Sequence, residues 1–335
     1  MATSARAPTV GVVIVAYNAG EHLARCLAAL ALQTYTDFEV VVVDNASTDG
    51  AIEALGALAA NVRVVRLGRN AGFAGGCNAG ARETAAPWLA MLNPDAFPEP
   101  DWLERMVAAA GRHPGADVLA AVLVDARDPG IYDGLGDCYS PYGIGWRGAD
   151  GHRMRAERDD DVSVLTACAA AAFYRADAFR EIGGFDERYF CYFEDVDLGL
   201  RMRLRGGECV LVHDAVVHHV GSGTTGRNSP FTVYHGFRNR IWTFWKDMPP
   251  LLMWTFAPAF AVAHAPLLLK AALHGRLGAA LRGVRDGLAG LPALAEARSA
   301  VRISRRVPLV AFARRLTWSP LALARRSPDL RRLAD

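Results

Sequence analysis

The sequence predicts an α/β protein: a doubly wound, mostly parallel sheet with helices on both faces, continued by a C-terminal helical segment that associates with a membrane. Three observations carry that expectation. β-branched apolar runs alternate with stretches of helical period between residues 10 and 92. A polar residue, Asn18, Asp44, Asn70 or Asp95, falls just past each of four strand ends. From Pro249 onward the chain turns first apolar and then basic.

Val10–Ala16 is a β-branched run that ends at Tyr17-Asn18-Ala19-Gly20, a strand followed by a turn. It is too short and too weakly flanked for a secretory signal. His22–Leu32 places Leu23, Leu27 and Leu30 at helical spacing, and Phe38–Val43 is a second strand ending at Asp44-Asn45. Ser47, Thr48 or Asp49 is then positioned to cap a helix over Ala51–Leu58. Val62–Leu67 reads as a third strand, Gly75–Thr84 as a helix, and Trp88–Leu92 as a strand running into Asn93-Pro94-Asp95. Such alternation builds a parallel sheet whose ligands bind outside the carboxyl ends of the strands, which puts the four polar residues on one edge. Residues 125–161, rich in Gly, Asp and Arg, form a loop-rich excursion. Val162–Tyr174 returns to the core, and a short helix over Ala176–Ile182 precedes Gly183-Gly184-Phe185-Asp186.

Composition bounds the function. The chain has 335 residues, 52% hydrophobic and 21% charged, which fits a folded globular protein. Its net charge of +2 hides a division, because residues 270–335 hold 14 of the 37 Lys/Arg and only 4 of the 35 Asp/Glu. An acidic body with a basic tail suits an anionic membrane surface. No nucleic-acid-binding motif accompanies the tail, so no nucleic-acid partner is expected. The six cysteines are scattered without a CxxC pair, as reduced thiols are in a cytosolic protein. Leu251–Leu269 reaches the lower length of a bilayer span, yet Pro258 and Pro266 interrupt it. A kinked interfacial or re-entrant segment is the alternative to a span. The Arg305-Arg306, Arg314-Arg315, Arg325-Arg326 and Arg331-Arg332 pairs, set among Leu and Val, suit anionic lipid. Ordinary solvated helices are the other reading.

Two acidic clusters bordered by apolar residues carry the chemistry. Leu92-Asn93-Pro94-Asp95-Ala96 offers a hard oxygen ligand for a divalent metal through Asp95. Phe193-Glu194-Asp195-Val196-Asp197-Leu198 offers a base through Asp195. Taken alone, the first is also a common turn sequence, and the second also suits a helix N-terminus decorated with acids. Asp197 and Arg201 stand at ion-pair spacing. His218 and His219, adjacent on a strand, point to opposite faces, so at most one reaches a given metal.

With Val41-Val42-Val43-Asp44-Asn45-Ala46-Ser47-Thr48-Asp49-Gly50, these clusters resemble the family 2 glycosyltransferases of the GT-A fold over residues 9–245. The resemblance implies transfer with inversion from a nucleotide diphosphate sugar, dTDP- or UDP-linked, to a hydroxyl of a glycan or lipid-linked glycan. Bacterial rhamnosyltransferase-type enzymes of cell-surface polysaccharide assembly are the subgroup it is similar to. It implies a catalytic domain over 1–247, with a nucleotide-sugar half about 1–96 and an acceptor half about 97–247, ahead of the tail 248–335. The enzyme would work in the cytoplasm, peripheral to the inner face of the cell membrane.

Residue by residue, the resemblance assigns Asp44 to the imide N–H of the base, for which a carboxylate is a fitting acceptor; a helix cap is its other reading. Tyr17, Asn18, Arg69, Asn70, Gly72, Asn78 and Asn93 join it on the donor side. Gly72, Gly75 and Gly76 do not make a dinucleotide fingerprint, and a tight helix–strand junction explains them equally well. Asn93-Pro94-Asp95 stands at the DxD position with Asn first, leaving Asp95 as direct ligand of Mg²⁺ or Mn²⁺ and His219 of His219-Val220-Gly221 completing the shell. Asp195 is the base, Glu194 and Gly184 meet the acceptor, and Arg238-Asn239-Arg240 offer charge to phosphate groups. A processive synthase is excluded, since it needs a glutamine motif and Gln33 is the single glutamine. A polyprenyl-phosphate sugar synthase, or a non-catalytic nucleotide-sugar or membrane-binding module, is the alternative function.

Overall fold

Alternate residues of the first strand, β1 (Val10–Ala16), enter two different cores, which is why all seven are buried. Val10, Val12 and Ile14 pack under α1 (Glu21–Ala31), while Val13 and Val15 pack against elements on the opposite face. The computed structural model describes residues 7–154, 160–221 and 228–333. β2 (Phe38–Asp44), β3 (Val62–Arg66), α2 (Gly72–Arg82) and β4 (Trp88–Leu92) complete the first half. β5 (Ala96–Pro98), α3 (Trp102–Arg112) and β6 (Ala116–Asp125) follow. The excursion after β6 holds three short strands, β7 (Tyr132–Gly134), β8 (Asp137–Tyr139) and β9 (Gly145–Arg147). β10 (Val162–Ser163), β11 (Ala171–Arg175), α4 (Ala176–Glu181), α5 (Glu194–Leu204) and β12 (Glu208–His219) close the sheet region.

The sheet order is β10-β12-β6-β11-β4-β1-β2-β3, and of its long strands only β11 runs against the rest. Helices α1 and α3 cover one face, and α2, α4 and α5 the other. This is the doubly wound, mostly parallel sheet that the sequence predicts. One predicted helix is missing: Ala51–Leu58 forms only a single 3₁₀ turn at Glu53–Leu55. Gly50 and Gly56, both at positive φ, bracket it and leave too few residues for a stable α-helix.

α6 (Pro230–Asp247) starts behind a Ser229 cap and packs on α5. α7 (Pro250–Leu273) runs through Pro258 and Pro266 without ending, and half of its residues are exposed, including Leu251, Trp254, Val262, Leu269 and Leu273. α8 (Leu277–Ala289) and α9 (Ala295–Ser304) return to α6, followed by α10 (Leu309–Arg315) and α11 (Pro320–Ala324). The tail then folds back on the sheet region and the excursion after β6. Thr317 N–H donates to the Tyr139 carbonyl at 2.9 Å, Trp146 Nε1–H to the Ser327 carbonyl at 3.1 Å, and Arg331 pairs backbone to backbone with Ser163.

The arginine pairs split. Arg306, Arg315, Arg326 and Arg331 reach Glu181, Glu208, Asp150 and Asp329, whereas Arg305, Arg314, Arg325 and Arg332 remain exposed without an ion pair among the described residues.

Candidate active site

β5 runs antiparallel to the end of β12, with Ala96 opposite His219, and this pairing carries Asp95 to the imidazole. His219 Nε2 lies 3.3 Å from Asp95 Oδ1 and 3.2 Å from the Asn93 amide nitrogen. On its other side Nδ1 meets Asp133 Oδ2 at 2.7 Å. A proton on Nδ1 leaves the Nε2 lone pair directed at the Asp95–Asn93 side, the arrangement that suits a metal-ligating imidazole. Burial opposes the charged imidazolium, but the hydrogen bonds from Asp133 and Asp95 outweigh it and raise the His219 pKa. His218, on the outer face of the strand, contacts Glu99 instead. The Ser222-Gly223 end of the histidine segment lies outside the described residues.

Asp133 comes from the excursion at 125–161, which sequence reading left as loop. Its carboxylate also meets Arg147 on β9. That guanidinium stands in the field of Asp137 and Asp195 as well. Arg147 therefore links the Asp95–His219 pair to the acids at the start of α5.

Asp195 is fixed there by two backbone donors, Val196 N–H at 2.8 Å and Ala169 N–H at 3.3 Å. Burial pushes its carboxyl above the ordinary range, with those donors and Arg147 pulling the other way. Burial and then the Asp195 charge push Glu194 much further up, and the same two causes do so for Asp137. Of these three acids Asp195 is the one whose carboxylate is steadied by two backbone N–H donors and by Arg147. Glu194 Oε2 is buried without a hydrogen-bond partner among the described residues. Asp197 turns away, paired with Arg201 at 2.8 Å and with Lys246.

The chain entering α5 is strained: Phe190, Tyr192 and Phe193 all sit at positive φ, an unfavourable state for aromatic residues. Asn239, fully buried on α6, holds that segment by donating to the carbonyls of Tyr189, Cys191 and Tyr192 at 3.1, 2.9 and 2.6 Å. Arg238 donates to the Arg188 and Tyr189 carbonyls. Both side chains thus brace the chain that enters α5.

On the donor side, Asn18, Asp44, Asn70 and Tyr17 stand at the carboxyl edge of β1–β3, and Tyr17 is 39% exposed. Asp44 accepts from Ser47 N–H at 2.9 Å and pairs with Arg66 at 3.1 Å. Asn18 accepts from Thr48 N–H at 2.8 Å. Asn45, which sequence reading passed over, bridges Asn70 Oδ1 and the Gly72 carbonyl at 3.0 and 3.1 Å. Arg69 is exposed and forms no ion pair among the described residues.

Three of the expected site residues also have structural roles. Gly72 begins α2 rather than lying in a loop, and a Cβ there would collide with the Phe190 carbonyl, so the glycine serves close packing. Asn78 is buried and ties Phe185 N–H and carbonyl at 3.0 and 2.8 Å, so it braces the turn after α4. Gly184 packs on Asn78 Oδ1 and Phe179 at positive φ, and its carbonyl accepts from Arg201.

Two other clusters have a metal-like spacing. Asp137, Cys168 and Asp195 carry Arg147 beside them, and burial keeps the Cys168 thiol protonated, both unfavourable to a cation. Asp161, His213 and Asp214 are engaged by Arg112, His113 and Arg105. Asp95 and His219 remain the pair whose donor types and orientation fit Mg²⁺ or Mn²⁺.

Residues 11–183 match the model of the family described as glycosyl transferase family 2. The chain is 32% identical over 239 residues to an N-acetylglucosaminyl-diphospho-decaprenol L-rhamnosyltransferase of Mycobacterium tuberculosis, covering 65% of this chain and 78% of that one. Among solved structures, it is similar to a mannosyltransferase of Pyrobaculum calidifontis in complex with GDP-Man and Mn²⁺. That likeness has a TM-score of 0.54 at 19% identity and covers 92% of this chain and 87% of that one. A second, S. aureus TarS 1–349 in complex with UDP-GlcNAc, gives 0.55 at 17% identity over 91% and 89%. These two show the fold alone, which is GT-A. With the fold, the match over half of the sequence and the rhamnosyltransferase relative in agreement, this chain belongs to glycosyl transferase family 2.

Proposed function

We propose that this glycosyltransferase is inverting and metal-dependent, and that it moves a deoxyhexose such as rhamnose from a dTDP- or UDP-linked donor to a lipid-linked N-acetylglucosamine. The observation that carries the reading is the oriented Asp95–His219 pair, linked through Asp133 and Arg147 to Asp195. Asp95 and His219 would hold the divalent ion, whose charge would offset that of the departing diphosphate. Asp44, Asn18, Tyr17 and Arg69 border the nucleotide, with Asn70 and Asn93 toward the sugar. Asp195 receives the proton of the acceptor hydroxyl as its oxygen bonds to C1, and the C1–O bond to the nucleoside diphosphate breaks on the opposite face. Its raised pKa makes it a stronger base than an ordinary aspartate. Glu194, with one oxygen unpartnered, is placed to hold an acceptor hydroxyl.

The exposed apolar residues of α7 and the unpaired Arg305, Arg314, Arg325 and Arg332 support docking on the anionic cytoplasmic face of the membrane, where a lipid-linked acceptor resides. A screen of nucleotide sugars for nucleoside diphosphate release, with and without lipid-linked N-acetylglucosamine, tests the reading. Release is expected with a dTDP- or UDP-linked sugar, abolished by chelator and restored by Mg²⁺ or Mn²⁺. Full activity in excess chelator would sink the metal assignment, and a product with the same anomeric configuration as its donor would sink the inverting one.

A further inference from the structure

Of the two arginines of α6 that flank Asn239, Arg238 is hydrogen-bonded through Nε and Nη2 and Arg240 is not. Arg240 forms no ion pair and no hydrogen bond among the described residues, and its Nε is sealed from solvent. Its guanidinium lies 5.4 Å from the Phe193 ring centre and 5.6 Å from that of Phe237. No carboxylate compensates it. Burial draws its pKa down to about 10, with only the Tyr139 phenol acting in the other direction. An uncompensated cation inside an aromatic cluster is costly, and cation–π contact offsets only part of that cost.

The groups around it are also unmatched. The Tyr139 hydroxyl, on β8, is buried without a hydrogen-bond partner among the described residues. So is Nε2 of His264, on α7, whose Nδ1 is bonded to the Phe260 carbonyl at 2.7 Å. Arg240 acts electrostatically on both residues. Phe260 stacks on His264 and on Phe244, with ring centres 3.9 and 4.5 Å apart, and packs in the same cluster as Tyr139 and Phe193. Three elements thus bring polar side chains with unused capacity to one place.

We propose that Arg240, with the Tyr139 hydroxyl and the His264 imidazole, receives the diphosphate of the lipid-linked acceptor. The inference rests on the lipid-linked acceptor of the proposed function and adds where its anionic group binds. The order of groups supports it. Phe193, under the guanidinium, immediately precedes Glu194 and Asp195, while His264 belongs to the exposed apolar helix α7. A lipid-linked sugar carries its hydroxyl, its diphosphate and its chain in that same sequence. A guanidinium suits a diphosphate because its fork of N–H donors matches paired phosphate oxygens.

The test is a calorimetric titration of the full-length protein in detergent with farnesyl diphosphate, farnesol and inorganic pyrophosphate. Wild type is expected to bind farnesyl diphosphate about tenfold or more tightly than either of the others. Arg240→Gln is expected to lose that preference while binding farnesol and nucleoside diphosphate as wild type does, and Arg240→Lys to keep part of it. Because the native cation is uncompensated, Arg240→Met is expected to melt at or above the wild-type temperature, which separates lost binding from lost folding. Unchanged farnesyl diphosphate affinity in Arg240→Gln overturns the site. Equal affinity for pyrophosphate and farnesyl diphosphate overturns the lipid-linked assignment in favour of a free-anion site. Failure of wild type to transfer sugar to lipid-linked N-acetylglucosamine overturns the proposed acceptor alone, since the titration needs no turnover.

Discussion

The carboxyl edge of β1–β3 and the acid-rich region between β12, the β8–β9 hairpin and α5 are both polar, yet they are built in opposite ways. Along the first, each side chain closes a nearby loop: Asn18 to Thr48, Asp44 to Ser47 and Arg66, Asn45 to Asn70. In the second, His219 meets Asp133 and Asn93 at sequence separations of 86 and 126, and the buried acids outnumber the single guanidinium beside them. The first edge is a preformed shape whose hydrogen bonds are largely satisfied. The second holds charge that is incompletely compensated, which shifts pKa values and leaves acceptor capacity at Glu194. Substitutions at the first edge should therefore change donor affinity, and those in the second should change turnover or metal binding.

The sharpest way to break that contrast is Asp195→Asn, which keeps size and removes the proposed proton acceptor. Turnover is expected to fall at least roughly 10²-fold with donor binding little changed, read from kcat and from nucleoside diphosphate titration. Because the base works only when ionised and burial raises its pKa, wild-type activity should fall as the pH drops through a value above the ordinary aspartate range. Arg147→Met removes a charge that lowers that pKa, so its acid limb should move to higher pH. An unmoved limb would show that Arg147 does not act on Asp195.

Next in size is Asp133→Asn. The carboxylate orients His219 without being proposed as a ligand, and losing such a partner costs about 10- to 100-fold in metal affinity. Calorimetry with Mn²⁺ and nucleoside diphosphate reads it directly. Wild-type affinity would mean that Asn93 and β5 pairing suffice to orient the ring. Asp44→Asn belongs to the other edge and should raise the donor KM about tenfold with kcat retained, since an amide offers the base a mixed donor and acceptor. A kcat loss like that of Asp195→Asn would erase the distinction between the two regions.

This contrast also explains what the sequence could reveal. Strands β1 to β4 are legible because alternate valines enter two cores, and Asp44 and Asp95 follow directly from strand ends. The i,i+4 pair of Asp197 and Arg201 was legible for the same local reason. Asp133, Asp137 and Arg147 were not, because a Gly-, Asp- and Arg-rich stretch reads as loop until tertiary packing gives each charge its neighbour. Gly72, Asn78 and Gly184 carry structural roles that the sequence does not announce. Their composition suits a ligand, but the close approach of Phe190 and the turn at Phe185 already require them. Nor does an Arg-Arg pair announce that one member is tied to an acid elsewhere in the fold while the other stays exposed.

The smallest expected effect concerns stability rather than rate, and it separates the regions independently of any substrate. Burial and the Asp195 charge raise the folded-state pKa of Glu194 and of Asp137 above their unfolded values. Such acids contribute stability that is fully present below the unfolded pKa and is lost as the pH rises through the folded one, because the folded state holds protons the unfolded state has released. Asp186 and Asp161 act in the opposite sense, since Arg188 and Lys246, and Arg112 with two histidines, hold them low against the effect of burial. Their contribution is lost only in strong acid, outside this window. The melting temperature should thus decline from mildly acidic toward alkaline pH, and Glu194→Gln or Asp137→Asn should flatten that decline. Asp44→Asn should leave it unchanged. A pH profile equally steep in all three variants would show that the acid-rich region does not store the charge stress its burial implies.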